Sequence, residues 1–366
     1  MPMDNFAFII HPIDAYDAAR KFKFMRSWPE SLIEGVMKHI PPVKVSHITG
    51  VKSPYNEIEG WFVGCPLTTR QMMTLPEDFV IKKIIKAGKL AEKLGAKIVG
   101  LGAFTSVVGD AGITISKNLN IPVTTGNSYT VATAIEGAVK AAEIMGKDIK
   151  NAEVVVIGAT GSIGKVCAEI LARDAKFLTL VGRNTQRLEA IAEKILKETG
   201  LSARITSDVK KALRKADVVI TVTSSVDTII EPEDLKPGAV VCDVARPRDV
   251  SKEVAEKRDD VLIIEGGVVE VPGDVNFNFN FGFEPKTSYA CMAETMILAL
   301  ERRYECFTLG RDLTVEQVEE ISRLAKKHGF KLAGFRSFER PVTQEQIEKI
   351  KENARRNLEK RSSDAV

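Results

Sequence analysis

Two groups of residues in this 366-residue chain have the types and spacings that chemistry needs. The first is a thiol. In Pro285-Lys286-Thr287-Ser288-Tyr289-Ala290-Cys291 an apolar helix running to about Arg303 is expected to begin, with Thr287 or Ser288 as its cap. Cys291 then falls in or just beyond the first turn, where the helix's positive field favours the thiolate and makes it a nucleophile. The position also suits a small buried core residue, the common fate of an unbridged cysteine. The other cysteines are poorer nucleophiles by context. Cys167 falls inside a predicted helix and Cys242 inside a buried strand, while Cys65 and Cys306 lack a helix start.

The second group is a set of glycines. Val154–Ile157 is an apolar run, followed by Gly158, Gly161 and Gly164 at intervals of three, then Cys167, Ile170 and Leu171 at helical spacing. Phe177–Val181 closes a strand–helix–strand unit. Such glycines make a tight turn, admit a pyrophosphate close to the backbone, and let the helix pack on the sheet. Thr160, Ser162 and Ile163 lie between them, and the amides at the helix start face the phosphates. The alternative is a purely structural turn. The second strand ends in Arg183-Asn184-Thr185-Gln186-Arg187, with no acid before Glu189. An acid there would hold a ribose 2′-hydroxyl, whereas the guanidiniums of Arg183 and Arg187 with Asn184 beside them suit a 2′-phosphate. A basic first turn of a solvated helix is the other reading. The expected cofactor is NADPH, and Thr223, at the end of a later strand, is expected to border it.

These residues need elements to hold them. Strands are expected at Phe6–Ile10, Val43–Thr49, Ile58–Cys65 and Lys97–Phe104, with a helix from about Ile13 and another from Pro76 to Leu94. Gly100, Gly102, Ala103, Thr105 and Ser106 would permit close approach of a ligand or another backbone. Thr124-Thr125-Gly126-Asn127-Ser128 precedes a helix from about Tyr129 to Met145, with Asn127 or Ser128 as cap, which bridges two lobes. After the glycine unit, strands at Ala203–Thr206, Asp217–Thr223, Ala239–Asp243 and Val261–Glu265 alternate with helices. That pattern predicts a doubly wound parallel sheet. Its strand ends carry Ser224–Asp227, Asp243–Asp249 and Glu265–Glu270. In Phe277–Phe283 every second residue is Phe, so a strand would line four rings along one face, as a substrate wall or as core packing. Thr314-x-x-Gln317 and Thr343-x-x-Gln346 read as capping boxes. The last helix has a narrow stripe of Ile347, Ile350, Ala354 and Leu358. It would dock on a partner subunit, making a homo-oligomer, or fray.

The fold class is therefore α/β: an N-terminal α/β substrate lobe with its bridging helix (1–146), a doubly wound Rossmann domain (147–275), and C-terminal helices carrying the candidate nucleophile (276–366). A composition of 44% hydrophobic and 28% charged residues is that of a globular protein, and a net charge of +3 is too small to argue for nucleic acid. No apolar run approaches the roughly 18 residues of a membrane span, and the start lacks a signal peptide's features. Five cysteines without Cys-x-x-Cys spacing exclude a disulfide framework, and four histidines without metal-site spacing give no support to a metal. The expected compartment is the cytoplasm. No Tyr has Lys four residues on, which excludes a short-chain dehydrogenase site.

Between about residues 6 and 332 the chain resembles the long-chain acyl-[acyl-carrier-protein] reductases. The resemblance rests on Leu-Gly-Ala-Phe-Thr-Ser-Val-Val (101–108), Thr-Thr-Gly-Asn-Ser-Tyr-Thr (124–130), the glycine turn with Cys167, Val-Gly-Arg-Asn-Thr-Gln-Arg-Leu-Glu (181–189), Glu-Gly-Gly-Val-Val-Glu (265–270), Tyr-Ala-Cys-Met-Ala-Glu (289–294) and Lys-His-Gly-Phe (327–330). It implies an NADPH-dependent reduction of a fatty acyl thioester, carried on acyl carrier protein or CoA, to a fatty aldehyde in lipid metabolism. It also implies that Cys291 is the nucleophile carrying an acyl-cysteine intermediate. Residues 275–288 and the tail after about residue 340 depart from the pattern and leave acyl length and carrier open. His11 and Tyr289 are candidates for the general acid. An NADP-dependent amino-acid or shikimate-type dehydrogenase shares the plan but would not need Cys291, and a nucleotide sensor without catalysis would need only the glycine turn.

Overall fold

The computed structural model describes residues 3–17, 27–223, 225, 227–245, 248–280 and 282–363. Ser224, Val226, Arg246, Pro247 and Phe281, named in the loop and aromatic expectations above, lie outside these residues. So does most of the helix expected from Ile13, of which residues 15–17 are helical.

The chain forms two compact units. One holds Met1–Tyr129, Glu270–Leu313 and Glu320–Lys331; the other holds Thr130–Val269, Thr314–Glu319 and Leu332–Val366. Residues 276–366, expected as a segment of their own, are thus shared between the two. The helix expected to start near Tyr129 spans Asn127–Ile144, and the division between units falls inside its first turn.

In the first unit, strands β1 (Asp4–Ile10), β2 (Val43–Lys52), β3 (Glu57–Gly64), β4 (Val99–Leu101) and β5 (Val123–Thr124) join the edge strand Gly273–Asn276 in one sheet. Its order is Gly273–Asn276, β2, β3, β1, β4, β5. β3, β1, β4 and β5 are parallel; β2 pairs antiparallel with β3, and the edge strand pairs antiparallel with β2. One sheet face packs on the Glu77–Lys93 helix, whose Val80, Ile84, Ala87 and Ala91 recur at helical spacing and are buried.

β4 is shorter than expected. After Leu101 the chain turns at Ala103 (φ 47°) into a single 3₁₀ turn, Ala103–Ser106. At two of the small residues the fold itself takes the space: a Cβ on Gly100 or Gly102 would lie 2.4 or 2.5 Å from the ring of Phe8, and one on Gly100 only 2.1 Å from Thr295 Oγ1. Residues 277–280 and 282–283 do not form the expected aromatic strand either. Asn276 Oδ1 accepts the amide of Asn278, Asn280 Oδ1 accepts that of Gly282, and Asn278 has φ 49°. The interleaved asparagines thus bond their own backbone and turn it. The rings part company: Phe277 and Phe279 both lie against Phe62, while Phe283 meets the edge of Tyr289.

In the second unit, β6 (Glu153–Ile157), β7 (Phe177–Val181), β8 (Arg204–Thr206), β9 (Val218–Thr221), β10 (Val240–Asp243) and β11 (Leu262–Glu265) are all parallel, in the order β8, β7, β6, β9, β10, β11. This is the Rossmann order, with the strand direction of travel reversing between β6 and β9. The tail belongs to this unit. Its helix, Gln344–Ser363, buries Ile347 and Ala354, and Asn353 and Asn357 donate to Asp259 and Asp260. No helix among the described residues is long and apolar enough to cross a membrane.

Candidate active site

In the second unit the three glycines separate by what surrounds them. Gly158 has φ 81°, and a Cβ on it would lie 2.9 Å from the Val222 carbonyl oxygen; one on Gly164 would lie 2.3 Å from the Gly158 oxygen. Both are fixed by the turn and by helix–strand packing. Gly161 has ordinary backbone angles, and its Cβ would meet only the Gly158 oxygen, at 3.3 Å. The fold crowds this position less than the other two, although a Cβ would still press on that backbone oxygen, and a pyrophosphate approaching the turn would crowd it further. Gly161 opens the Ser162–Leu171 helix with no side-chain cap, which leaves the amides of Ser162, Ile163 and Gly164 at its positive end. Gly161→Val is accordingly expected to fold, at some cost in stability, and to weaken NADPH and NADH together. Calorimetric titration with both nucleotides checks this, and unchanged affinity would move the phosphates elsewhere.

Thr160 lies over Gly182, 3.1 Å from where a Cβ would stand, which brings the end of β7 beside the glycine turn. Arg183 and Arg187 are exposed, and neither is in an ion pair with a described residue. Asn184 spends its Oδ1 on capping the Thr185–Thr199 helix, accepting the Arg187 amide at 3.0 Å, so only its amide nitrogen faces outward chemistry. Thr223 is committed inward: its amide and hydroxyl both donate to Asp249, a buried carboxylate that also takes the Thr221 hydroxyl. Asp249 thereby holds the loop that backs Gly158, a role the sequence did not reveal. A nicotinamide dinucleotide fits this edge, and the arginines without an acid suit NADPH. Arg183→Ala is expected to cost NADPH about 1.5–3 kcal/mol, the scale of a hydrogen bond to a charged group, and to spare NADH. Equal losses for both nucleotides would show that Arg183 does not read the 2′-phosphate.

In the first unit Cys291 is the second residue of the helix Ala290–Leu300. Tyr289 holds the cap position, and no side chain caps the helix. Thr287 and Ser288, expected as caps, donate instead to the carbonyls of Glu284 and Tyr289. At the other end Asn56 donates to the Leu300 carbonyl, and Arg302 pairs with Asp4, the first residue of β1, at 2.6 Å. The helix therefore runs antiparallel to β1, and its amino end lies at the carboxyl ends of the parallel strands, where ligands bind in such sheets. Ala290 and all residues from Met292 to Leu300 are buried; Cys291 alone in this helix is partly exposed.

The turn after β5 lies directly on the thiol-bearing residue. Gly126 has φ 76°, and a Cβ on it would be 2.3 Å from Cys291 Cα. One turn into the helix, wholly buried Glu294 accepts four hydrogen bonds. They come from the hydroxyls of Thr124 (2.5 Å), Ser128 (2.6 Å) and Thr308 (2.9 Å) and the amide of Tyr129 (3.0 Å). Glu294 belongs to the Tyr289–Glu294 motif, whose spacing does not disclose this role. Its signal was an acid inside an otherwise apolar helix.

The remaining thiols separate cleanly. Burial pushes Cys65 and Cys167 up to about 12. Cys242 is buried and donates to the Ala134 carbonyl, and Cys306 is exposed beside Ser116. His11 follows β1 but is poorly placed as an acid. Its Nε2 accepts the Phe104 amide, its Nδ1 donates to the Pro12 carbonyl, and burial lowers its pKa, so the ring is neutral with both nitrogens engaged. Among the described residues no cluster of three His, Cys, Asp or Glu could hold a metal.

Comparison with known proteins gives the following similarities. The Shikimate / quinate 5-dehydrogenase family model matches residues 140–264, which is the dinucleotide-binding sheet without Cys291. The aminotransferase PigE of Serratia sp. is 32% identical over 80% of this chain, but the chain spans only 34% of that protein. The long-chain acyl-[acyl-carrier-protein] reductase of Synechococcus elongatus is 28% identical over 79% of this chain and 87% of its own length. A glutamyl-tRNA reductase of Cyanophora paradoxa is 25% identical over 48% of this chain and 41% of its own. The chain is thus related to reductases and to a dehydrogenase family.

Proposed function

We propose that this protein is an NADPH-dependent reductase that converts a fatty acyl thioester to a fatty aldehyde through an acyl group carried on Cys291, and that it acts in the cytoplasm. The observation that carries the reading is the setting of Cys291: the one partly exposed residue of a buried helix, at that helix's positive end and at the carboxyl ends of parallel strands. The similarity to the acyl-[acyl-carrier-protein] reductase, which extends over 79% of this chain, supports the substrate class.

Cys291 Sγ attacks the carbonyl carbon of the incoming thioester. The carrier thiolate, from acyl carrier protein or CoA, leaves with the electron pair of the broken C–S bond, and the acyl group stays on Cys291. Splitting the exchange in this way replaces one hard step by two easier ones. The amides at the start of the Ala290–Leu300 helix are donors for the oxyanion formed during attack. The glycine turn and Arg183 would hold NADPH, which would supply the hydride when bound. Cys291 then departs as thiolate from the reduced carbon, leaving aldehyde.

The test is made on the wild-type protein without nucleotide. Incubation with a long-chain acyl-CoA or acyl-carrier-protein thioester is expected to add one acyl group by intact-mass spectrometry, mapped to Cys291, and NADPH then releases aldehyde. The family model that matches residues 140–264 is the observation behind the alternative, an NADP-dependent amino-acid or shikimate-type dehydrogenase. That reading predicts no adduct and substrate-dependent formation of NADPH from NADP.

A further inference from the structure

We infer that Glu294 is a positioning residue for Cys291, its carboxylate tying the Thr124–Tyr129 turn to the helix so that the backbone of Gly126 is held against the nucleophile. The inference rests on the proposed role of Cys291.

A carboxylate buried in an apolar helix is costly unless hydrogen bonds satisfy it. Here they do, and their origin is informative. Thr124 and Ser128 flank Gly126, and Tyr129 N is the next donor along the chain. Each therefore comes from the turn that touches Cys291. Thr308 closes the ring. Its hydroxyl lies 2.9 Å from Glu294 and 3.0 Å from Ser128, its amide donates to Thr124, and its carbonyl accepts the Thr125 amide. Glu294 stands three residues after Cys291 on the same helix, so the two side chains share a face. The carboxylate is thus the point at which the turn, the Thr308 strand of chain and the nucleophile's helix are joined. Networks of this kind fix geometry more than they add stability, and a displaced nucleophile loses rate steeply.

The test pairs Thr308→Val, which removes one donor, with Thr308→Ser, which keeps it. Folding is checked by circular dichroism and NADPH affinity, and rates are measured well below the melting midpoint. With hexadecanoyl-CoA, the maximal rate of Cys291 acylation is expected to fall roughly 10- to 100-fold in Thr308→Val, with the half-saturating concentration unchanged, and to return in Thr308→Ser. Alkylation of Cys291 by iodoacetamide, followed by peptide mapping, is expected to change at least about fivefold in the Val variant and to return in the Ser variant. Thr124→Val and Thr124→Ser repeat the pair on the same carboxylate oxygen should Thr308→Val not fold. Wild-type rates of alkylation and acylation in folded Val variants would overturn the inference. A wild type that is alkylated but never acylated would instead sink the reductase reading, and the alkylation comparison alone would then decide the role of Glu294.

Discussion

Cys291→Ser is expected to abolish thioester reduction, by at least roughly a thousandfold, while leaving the protein folded and able to bind NADPH. The size of the effect follows from what oxygen cannot do at this position. A thiol at a helix start supplies thiolate near neutral pH, whereas a serine hydroxyl needs a neighbouring base to be a comparable nucleophile. His11, the imidazole named as a candidate general acid, has its Nε2 occupied by the Phe104 amide and its Nδ1 given to the Pro12 carbonyl. Stability is expected to change by less than about 1 kcal/mol, because the replaced atom is partly exposed and the buried residues of the helix, Met292 onward, are untouched. The glycine turn belongs to the other unit, so NADPH affinity is expected to match wild type. Cys167→Ala provides the contrast: that thiol is buried and its pKa is about 12, and the variant is expected to keep its activity. An acyl adduct appearing on Cys306 in the Ser variant would retain the reaction class and move the nucleophile. Full reduction by Cys291→Ser, with no adduct anywhere, would end the covalent mechanism.

The part of this site built from local sequence was legible, and the part built from distant pairs was not. The glycine turn was legible from its spacing of three between an apolar strand and a helix, although the atoms that Gly158 meets belong to Val222 and Thr223, far along the chain. The capping boxes were equally local. Thr314 and Gln317 exchange side-chain and backbone bonds, as do Thr343 and Gln346. The Phe277–Phe283 strand failed for a local reason too: alternation favoured a strand, but asparagines that bond the amide two residues on outweighed it. Glu294 is of another kind. Its partners Thr124 and Ser128 lie 170 and 166 residues away, and no periodicity links a carboxylate to hydroxyls at that distance. The same holds for Gly126, whose glycine reads in sequence as an ordinary turn and whose real constraint is Cys291.

Gly126→Ala is expected to destabilise the protein by about 2–4 kcal/mol and to remove Cys291 acylation from whatever remains folded. Two effects add. An alanine at φ 76° costs about 1 kcal/mol relative to glycine. The new methyl would then lie 2.3 Å from Cys291 Cα, 2.5 Å from its Cβ and 2.6 Å from its carbonyl oxygen, distances that no real contact shows. Overpacking of this kind costs typically about 1–3 kcal/mol more. Neither side yields easily. The Ala290–Leu300 helix is buried along its length and fastened at its far end by the Arg302–Asp4 pair, while the turn is fastened to Glu294 by Thr124 and Ser128. Relief has to come from breaking those bonds, which also displaces the nucleophile. Gly95→Ala separates the two effects, since Gly95 has φ 89° but nothing within 4 Å of its Cβ position. It is expected to lose only the roughly 1 kcal/mol of backbone strain and to keep full acylation. Urea titrations of both variants measure the difference, which isolates the contact between Gly126 and Cys291. Equal destabilisation, with Cys291 still acylated at the wild-type rate in Gly126→Ala, would show that this contact neither limits the turn nor positions the thiol.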